Sequence, residues 1–346
     1  MSEQKVAIVI LNYNGKHFLE RYLPSVLLYS KPYKIVVADN GSKDGSLEFM
    51  REHFPKVIVI ENKANLGYAG GYNAALSQLG SEYYVLLNSD VEVSHNWLEP
   101  MLELMENDPS VAACQPKLKD QTYRDKFEYA GACGGYVDWL AYPFCRGRIF
   151  QVLETDKGQY NQKSEVFWAS GACLMLRADP FWKAGALDED FFAHMEEIDL
   201  CWRLKNLGYK IYCEPGSTVY HLGAGTLKKE STRKTYLNFR NSLSTIVKND
   251  KSVRLPVVLF CRLFLDGIAG LKFLFEGRPA HLFAILMAHF SFYYHLPSLF
   301  VKRSAMRIKP GFKYDRSRMY KGSLLTDYYI RRKRLFSELN KGFFTD

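Results

Sequence analysis

The chain has 346 residues, 47% of them apolar and 24% charged, which allows one large catalytic core with an appendage and excludes a disordered or low-complexity protein. Its net charge of +9 sits at one end: Lys302 to Asp346 carry 13 Lys/Arg against 4 Asp/Glu, leaving 33 of each sign before them. A basic tail of this kind suits an anionic surface, phospholipid ahead of nucleic acid.

The opening MSEQKVAIVILNYNG places polar and acidic residues where a secretory leader needs a basic and then an apolar stretch, so the catalytic part is expected in the cytoplasm. KVAIVIL (5–11) is a short β-branched run, followed by a turn at Asn12 to Gly15 and an amphipathic stretch to about Tyr29. This predicts a strand and a helix. The pattern recurs at KIVVA (34–38) with a helix from Asp44, at VIVIE (57–61) with a helix from Tyr68, and at YYVLL (83–87). Such alternation predicts a mostly parallel, doubly wound α/β sheet, with ligands beyond the carboxyl ends of its strands.

From about 110 to 225 the content is mixed. VFWASGACLMLR and YKIYCEP read as strands, DPFWKAG as a short helix, and EEIDLCWRLKNLGY as a helix ended by Gly208, so the sheet is expected to become mixed there. After Leu255 two Leu/Phe-rich stretches follow, the first interrupted by Arg262, Asp266 and Lys272, the second by His281, His289, His295 and Pro297. Neither has the roughly 20 uninterrupted apolar residues of a spanning helix. Interfacial helices backed by the basic tail are the expectation, against a soluble hairpin packed on the catalytic part. The predicted division is a catalytic domain over 1–250 and a helical, basic, membrane-surface region over 251–346. Seven cysteines without a CxxC pair, several inside apolar runs, read as reduced core residues.

Polar clusters stand at four strand ends: Asn12 and Asn14, Asp39 to Asp44, Asn62 and Asn65, and Asn88 to Asp90. Each alone is ordinary turn chemistry, but four at one sheet edge make a crevice. A divalent ion bridging phosphates needs hard oxygen ligands, which makes Asp90 the first metal candidate and Glu92 the second. Asp39 follows its strand directly and is a candidate for gripping a base or ribose, whereas Asp44 fits a helix cap. ANLGYAGGYNAAL, with Gly67, Gly71 and Asn73, lets backbone approach an anion without a GxGxxG or Walker pattern. Glu196, Glu197 and Asp199 begin one helix, where the dipole favours acids; three exceed that need, and one could take a proton from an attacking hydroxyl. His221 follows a strand and precedes a Gly-rich loop, where a lone histidine is structural more often than functional.

Taken together, VAIVILNYNG, VVADNGSKDGS, NLGYAGGYNAAL, LLNSDVEV, ASGACLMLR, FFAHMEEIDLCWRLKNLGY and VYHLGAGT resemble the family 2 glycosyltransferases of GT-A fold. The resemblance is nearest to the rhamnosyltransferase-like branch of bacterial surface-polysaccharide biosynthesis and runs from 5 to about 245. It implies base contacts from Asp39 with Asn12 and Tyr13, a ribose and diphosphate track along Asn65 to Asn73, and a D-x-D variant in Asn88-Ser89-Asp90. Asp90 and His221 would hold Mg²⁺ or Mn²⁺. Where the family has Glu-Asp this chain has Glu196-Glu197, so Glu197 is the expected base and Glu196 the alternative. Trp168, Gly171, Asp199, Arg240 and Asn241 would border the acceptor side. The resemblance implies an inverting transfer from a nucleotide-diphosphate sugar to a saccharide or lipid-linked saccharide, on the inner face of the cell membrane and without nucleic acid. A nucleotidyltransferase would more often carry a Gly-rich basic loop after the first strand, and a non-catalytic sugar-nucleotide sensor would not need Glu197.

Overall fold

A computed structural model describes residues 5–223 and 231–346. In chain order the first half comprises β1 (Val6–Asn12), α1 (Lys16–Tyr29), β2 (Lys34–Asp39), α2 (Ser46–His53), β3 (Ile58–Glu61), α3 (Gly67–Leu76), β4 (Tyr83–Asn88), β5 (Val91–Val93), α4 (Glu99–Asn107) and β6 (Val111–Asp120). Short strands follow: β7 (Gly135–Asp138), β8 (Pro143–Cys145), β9 (Arg148–Ile149), β10 (Val152–Leu153), β11 (Ser164–Val166) and β12 (Cys173–Arg177). Then come α5 (Ala178–Lys183), α6 (Glu196–Asn206), β13 (Lys210–His221), α7 (Thr232–Asn249), α8 (Leu255–Phe275), α9 (Pro279–Arg307) and β14 (Met319–Tyr320).

The main sheet runs β11-β13-β6-β12-β4-β1-β2-β3, with β5 beside the end of β13. Strands β3, β2, β1 and β4 are parallel, whereas β12 runs antiparallel to β4 and β6. The expected parallel half and mixed half are both present. Alternate residues of β1 serve opposite faces, as strand geometry requires: Ala7 and Val9 belong to the same core as residues of α3 and α6, and Val6, Ile8 and Ile10 to the same core as residues of α1 and α4. Burial on both faces explains the unbroken apolar runs of β1 and β4, whereas the edge strand β3 leaves Ile58 exposed. VFWASGACLMLR is not one strand. Its first part ends at Val166 on the sheet edge, and its second begins at Cys173 beside β4.

A second sheet, β10-β9-β8-β7-β14, covers one side. Its last strand comes from the tail and pairs parallel with β7, and tail rings join the same core, Phe344 lying 5.1 Å from Tyr136 and Tyr320 6.0 Å from Phe144. The region beyond 250 is therefore not helical throughout, and its end is part of a sheet. Several tail cations are spent inside the protein: Lys302 bonds Asp188 (2.5 Å) and Asp190 (2.7 Å), Arg303 donates to Val247 O and Tyr314 Oη, and Arg318 meets Glu165 at 3.2 Å.

Helices α8 and α9 form a hairpin against α7. Two of the charges that interrupt the α8 pattern point inward, Arg262 donating to Leu140 O (3.1 Å) and Ser242 Oγ (2.7 Å) and Asp266 lying 3.2 Å from His289, whereas Lys272 stands exposed. Outward stand Phe260, Phe264, Phe283, Phe290 and Tyr294. By length and composition alone α9 could cross a membrane, with 28% of its apolar window buried.

Candidate active site

Parallel register builds the crevice edge. Asn12 stands beside Asp39, and Leu11 beside Asn88, so the ends of β2, β1 and β4 form one row. Asp39 is buried with both oxygens engaged: Oδ1 accepts from Asn12 Nδ2 (3.0 Å), and Oδ2 from the backbone N–H groups of Gly41 (3.1 Å) and Ser42 (2.9 Å). Ser42 Oγ in turn accepts from Asn12 Nδ2 (3.1 Å) and from the backbone N–H of Asn14 (2.9 Å). Asp39 thus organises the loop rather than presenting a free carboxylate. Tyr13 beside them is partly exposed. Asn40 Nδ2 bonds Asn65 Oδ1 (3.1 Å) and Gly67 O (2.9 Å), carrying the network to the start of α3.

Glycines in α3 permit close packing. A Cβ on Gly71 would press on Leu11 and Asn40, and one on Gly67, whose φ is +74°, would run into Phe192. Asn73 lies elsewhere: it bonds Leu187 O (2.8 Å) and Glu189 Oε1 (3.0 Å) in a separate groove between α3 and the 184–190 loop.

Beyond β4, Asn88-Ser89-Asp90 turns into β5, whose antiparallel pairing sets Val91 against His221. Asp90 Oδ1 and His221 Nε2 are consequently 3.1 Å apart, with Asn88 Nδ2 3.5 Å from the same nitrogen. Glu128 Oε1 lies 3.2 Å from His221 Nδ1. Burial lowers the proton affinity of His221, but the carboxylates of Asp90 and Glu128 outweigh it and hold its pKa well above the ordinary value. A buried oxygen and nitrogen converging under excess negative charge form a place for a cation. Among the described residues no three His, Cys, Asp or Glu side chains close on one point, so the pair suits an ion that completes its shell from phosphate and water. Glu92 is taken by Arg124 through both oxygens (2.9 and 2.7 Å) and stays outside. The Ala224 to Thr226 part of the Gly-rich loop lies outside the described residues.

The acidic helix start is approached through strained backbone: Phe192, His194 and Met195 have φ of +62°, +70° and +73°, a costly state for residues with side chains. α7 holds it. Asn241 Nδ2 donates to the carbonyls of Phe191 (3.0 Å), Ala193 (3.0 Å) and His194 (2.8 Å), and Arg240 to those of Asp190 (2.7 Å) and Phe191 (3.2 Å). Asp199 is fully buried between Arg203 (2.8 Å) and Lys248 (2.8 Å) and braces α6 on α7. Burial, then Glu197, pushes Glu196 well above the carboxylate range, and burial pushes Glu197 up to about 7. Each keeps a buried oxygen without a partner, but Glu196 is 4% exposed whereas Glu197 is more accessible.

Tyr68 links the acids to the strand ends. It feels the charges of Glu196 and Glu197 and donates to Gly171 O (2.6 Å), while Ala172 O accepts from Asn88 N (3.0 Å). Trp168 is core, its Nε1 on Tyr136 O at 2.9 Å. Sequence reasoning missed Glu128, and it named the segments holding Asn40, Ser42 and Tyr68 without giving those residues a role of their own. Glu128 is remote from every strand-end motif, and only folding brings it to His221. His194 was also passed over; burial, then Lys234, pushes its pKa down to about 4.

A family model described as glycosyl transferase family 2 matches residues 7–185. The N-acetylglucosaminyl-diphospho-decaprenol L-rhamnosyltransferase of Mycobacterium tuberculosis is 27% identical over 229 residues, which cover 62% of this chain and 75% of that one. The fold is similar to that of GalNAc-T7, solved with UDP, GalNAc and Mn²⁺ (TM-score 0.57, 17% identity, 71% of this chain and 48% of that). It is similar also to the mannosyltransferase PcManGT of Pyrobaculum calidifontis, solved with GDP-Man and Mn²⁺ (TM-score 0.51, 14% identity, 90% and 83%).

Proposed function

The chain belongs to glycosyl transferase family 2, and from that membership we propose that it moves a sugar from a nucleotide-diphosphate donor to a hydroxyl of a lipid-linked saccharide with inversion at the anomeric carbon. The observation that carries the site assignment is the 3.1 Å meeting of Asp90 and His221 at the strand edge shared with Asn12 and Asp39. In this reading Tyr13 and the loop organised by Asn12 and Asp39 receive the base, and Asn65, Gly67, Gly71 and Asn88 border the ribose and diphosphate. Asp90 and His221 would hold a divalent cation, Mg²⁺ or Mn²⁺, which supplies positive charge against the leaving diphosphate. Imidazole beside carboxylate suits Mn²⁺ better than the oxygen-loving Mg²⁺.

Glu197 takes the proton from the acceptor hydroxyl as its oxygen bonds to the anomeric carbon and the bond to phosphate breaks. No covalent enzyme intermediate is needed. Gly171 and Tyr68 lie on the acceptor side of Glu197, with Arg240 and Asn241 positioning the loop that presents it. A lipid-linked acceptor is supported by the decaprenol-linked substrate in the name of the mycobacterial relative and by the exposed apolar hairpin, which would place the protein on the inner face of the cell membrane.

Thermal-shift titration with UDP-, GDP- and dTDP-sugars, with and without Mn²⁺, tests this. One nucleotide class should raise the melting temperature only with metal, by about 2.7 kcal/mol of stabilisation at a hundredfold excess over Kd, and Asp90→Ala should erase the metal dependence. An undiminished metal-dependent shift in Asp90→Ala would remove Asp90 from the site.

A further inference from the structure

A cavity of about 700 Å³ opens between the 150–151 loop, the last turn of α8 and the tail at 328–334. Three cations line it, Lys272, Arg332 and Arg334, together with the rings of Phe150, Tyr328 and Tyr329. The rings form a wall: Phe150 meets Tyr328 edge-on at 4.8 Å and Tyr329 at 5.9 Å. Arg334 stands 5.7 Å over Tyr328. The carboxylate beside Lys272 is Glu276, at 3.7 Å, and among the described residues no carboxylate meets the side chains of Arg332 or Arg334. Unlike Lys302, Arg303 and Arg318, these cations are left facing solvent by the fold.

The rim is apolar. Around Lys272 on α8 stand Ile268, Leu271 and Phe275, the last 86% exposed, and the tail adds Ile330 at 76%. The band continues along the outer faces of α8 and α9, while Arg262 and Asp266 of α8 are turned inward. Such reversed amphipathicity costs free energy against water and is satisfied at a bilayer surface, with apolar side chains in the acyl boundary and cations at headgroup level. A hydrogen bond runs from the cavity wall toward the crevice: Gln151 donates to Tyr129 Oη at 3.4 Å, and Tyr129 follows the Glu128 that meets His221.

We propose that this cavity binds the phosphate of an anionic lipid headgroup, with the α8–α9 face seated in the bilayer so that the crevice opens along the membrane surface. The proposal rests on the reading of the hairpin as membrane-facing. Charge complementarity selects the occupant, since three cations against one carboxylate favour a phosphate-bearing lipid over a neutral one, and the aromatic wall suits the interface.

Co-sedimentation of the full chain with phosphatidylglycerol and phosphatidylcholine vesicles, at low and high salt, is the test. The protein should prefer phosphatidylglycerol. Lys272→Gln/Arg332→Gln/Arg334→Gln, all at exposed positions, should lose on the order of a hundredfold in partition to it while keeping the residual binding to phosphatidylcholine and the nucleotide-dependent thermal shift. Equal partition to both vesicles, or an undiminished preference in the triple variant, overturns the cavity assignment alone. Absence of binding to either vesicle overturns the membrane-facing reading and the proposal with it, without touching the donor site. A thermal shift with inorganic phosphate but no vesicle preference identifies a free-anion site and overturns the lipid assignment.

Discussion

Glu196 and Glu197 have the same side chain and adjacent positions, yet one is sealed at 4% exposure and the other is only partly buried. A base must touch its substrate, so accessibility favours Glu197. Because burial raises its carboxyl to about 7, Glu197 holds a proton at acid pH, and the active, deprotonated form grows as pH rises. kcat/KM should therefore climb through about pH 7 and level off above it. Glu197→Gln should lower kcat by about 10² to 10⁴ and abolish that limb, with donor Kd unchanged in titration. If Glu196→Gln alone has this effect, the base is Glu196. Asp39 and Glu92 show what residue type leaves undetermined: both read as ligand-facing acids, but Asp39 is occupied by backbone N–H groups and Glu92 by Arg124.

At the scale of elements, the site depends on how α7 grips the chain entering α6. Three left-handed residues persist there because Asn241 and Arg240 satisfy the carbonyls that such backbone leaves outside helix or sheet. Asn241→Ala should cost about 1–3 kcal/mol in chemical denaturation and lower kcat far more than it raises KM. Wild-type kcat in that variant would show that the clamp does not position Glu197. Helices and strands of the first half were legible from their periodicity and strand-end polar clusters. The clamp was not, because Asn241 lies some 45 residues from the motif it holds and Asn inside a helix has no distinctive local pattern.

Across the whole molecule, the tail is structural before it is electrostatic. β14 completes the second sheet, and Tyr320, Phe336 and Phe344 fill its core. A chain cut at 250 should therefore expose Tyr136 and Phe144 and fail to give a soluble, cooperatively unfolding protein, whereas the intact chain should melt in one transition by calorimetry. A well-behaved 1–250 fragment would restore the boundary expected from composition. Composition changes in character near 255, but a change in composition does not tell a separate region from a segment folding back on the first.

Local pattern by itself determined the α/β class, the parallel first half, the mixed second half and the row of polar strand ends, because each follows from periodicity and turn chemistry within short windows. Only the tertiary structure decided which acids are free. The β5–β13 register brings Asp90 to His221 across 131 residues, Glu128 arrives from a loop, and the helical hairpin turns Arg262 and Asp266 inward and its rings outward. Those outcomes depend on long-range pairing and on which face finds a partner, and neither is written in the neighbours of any one residue.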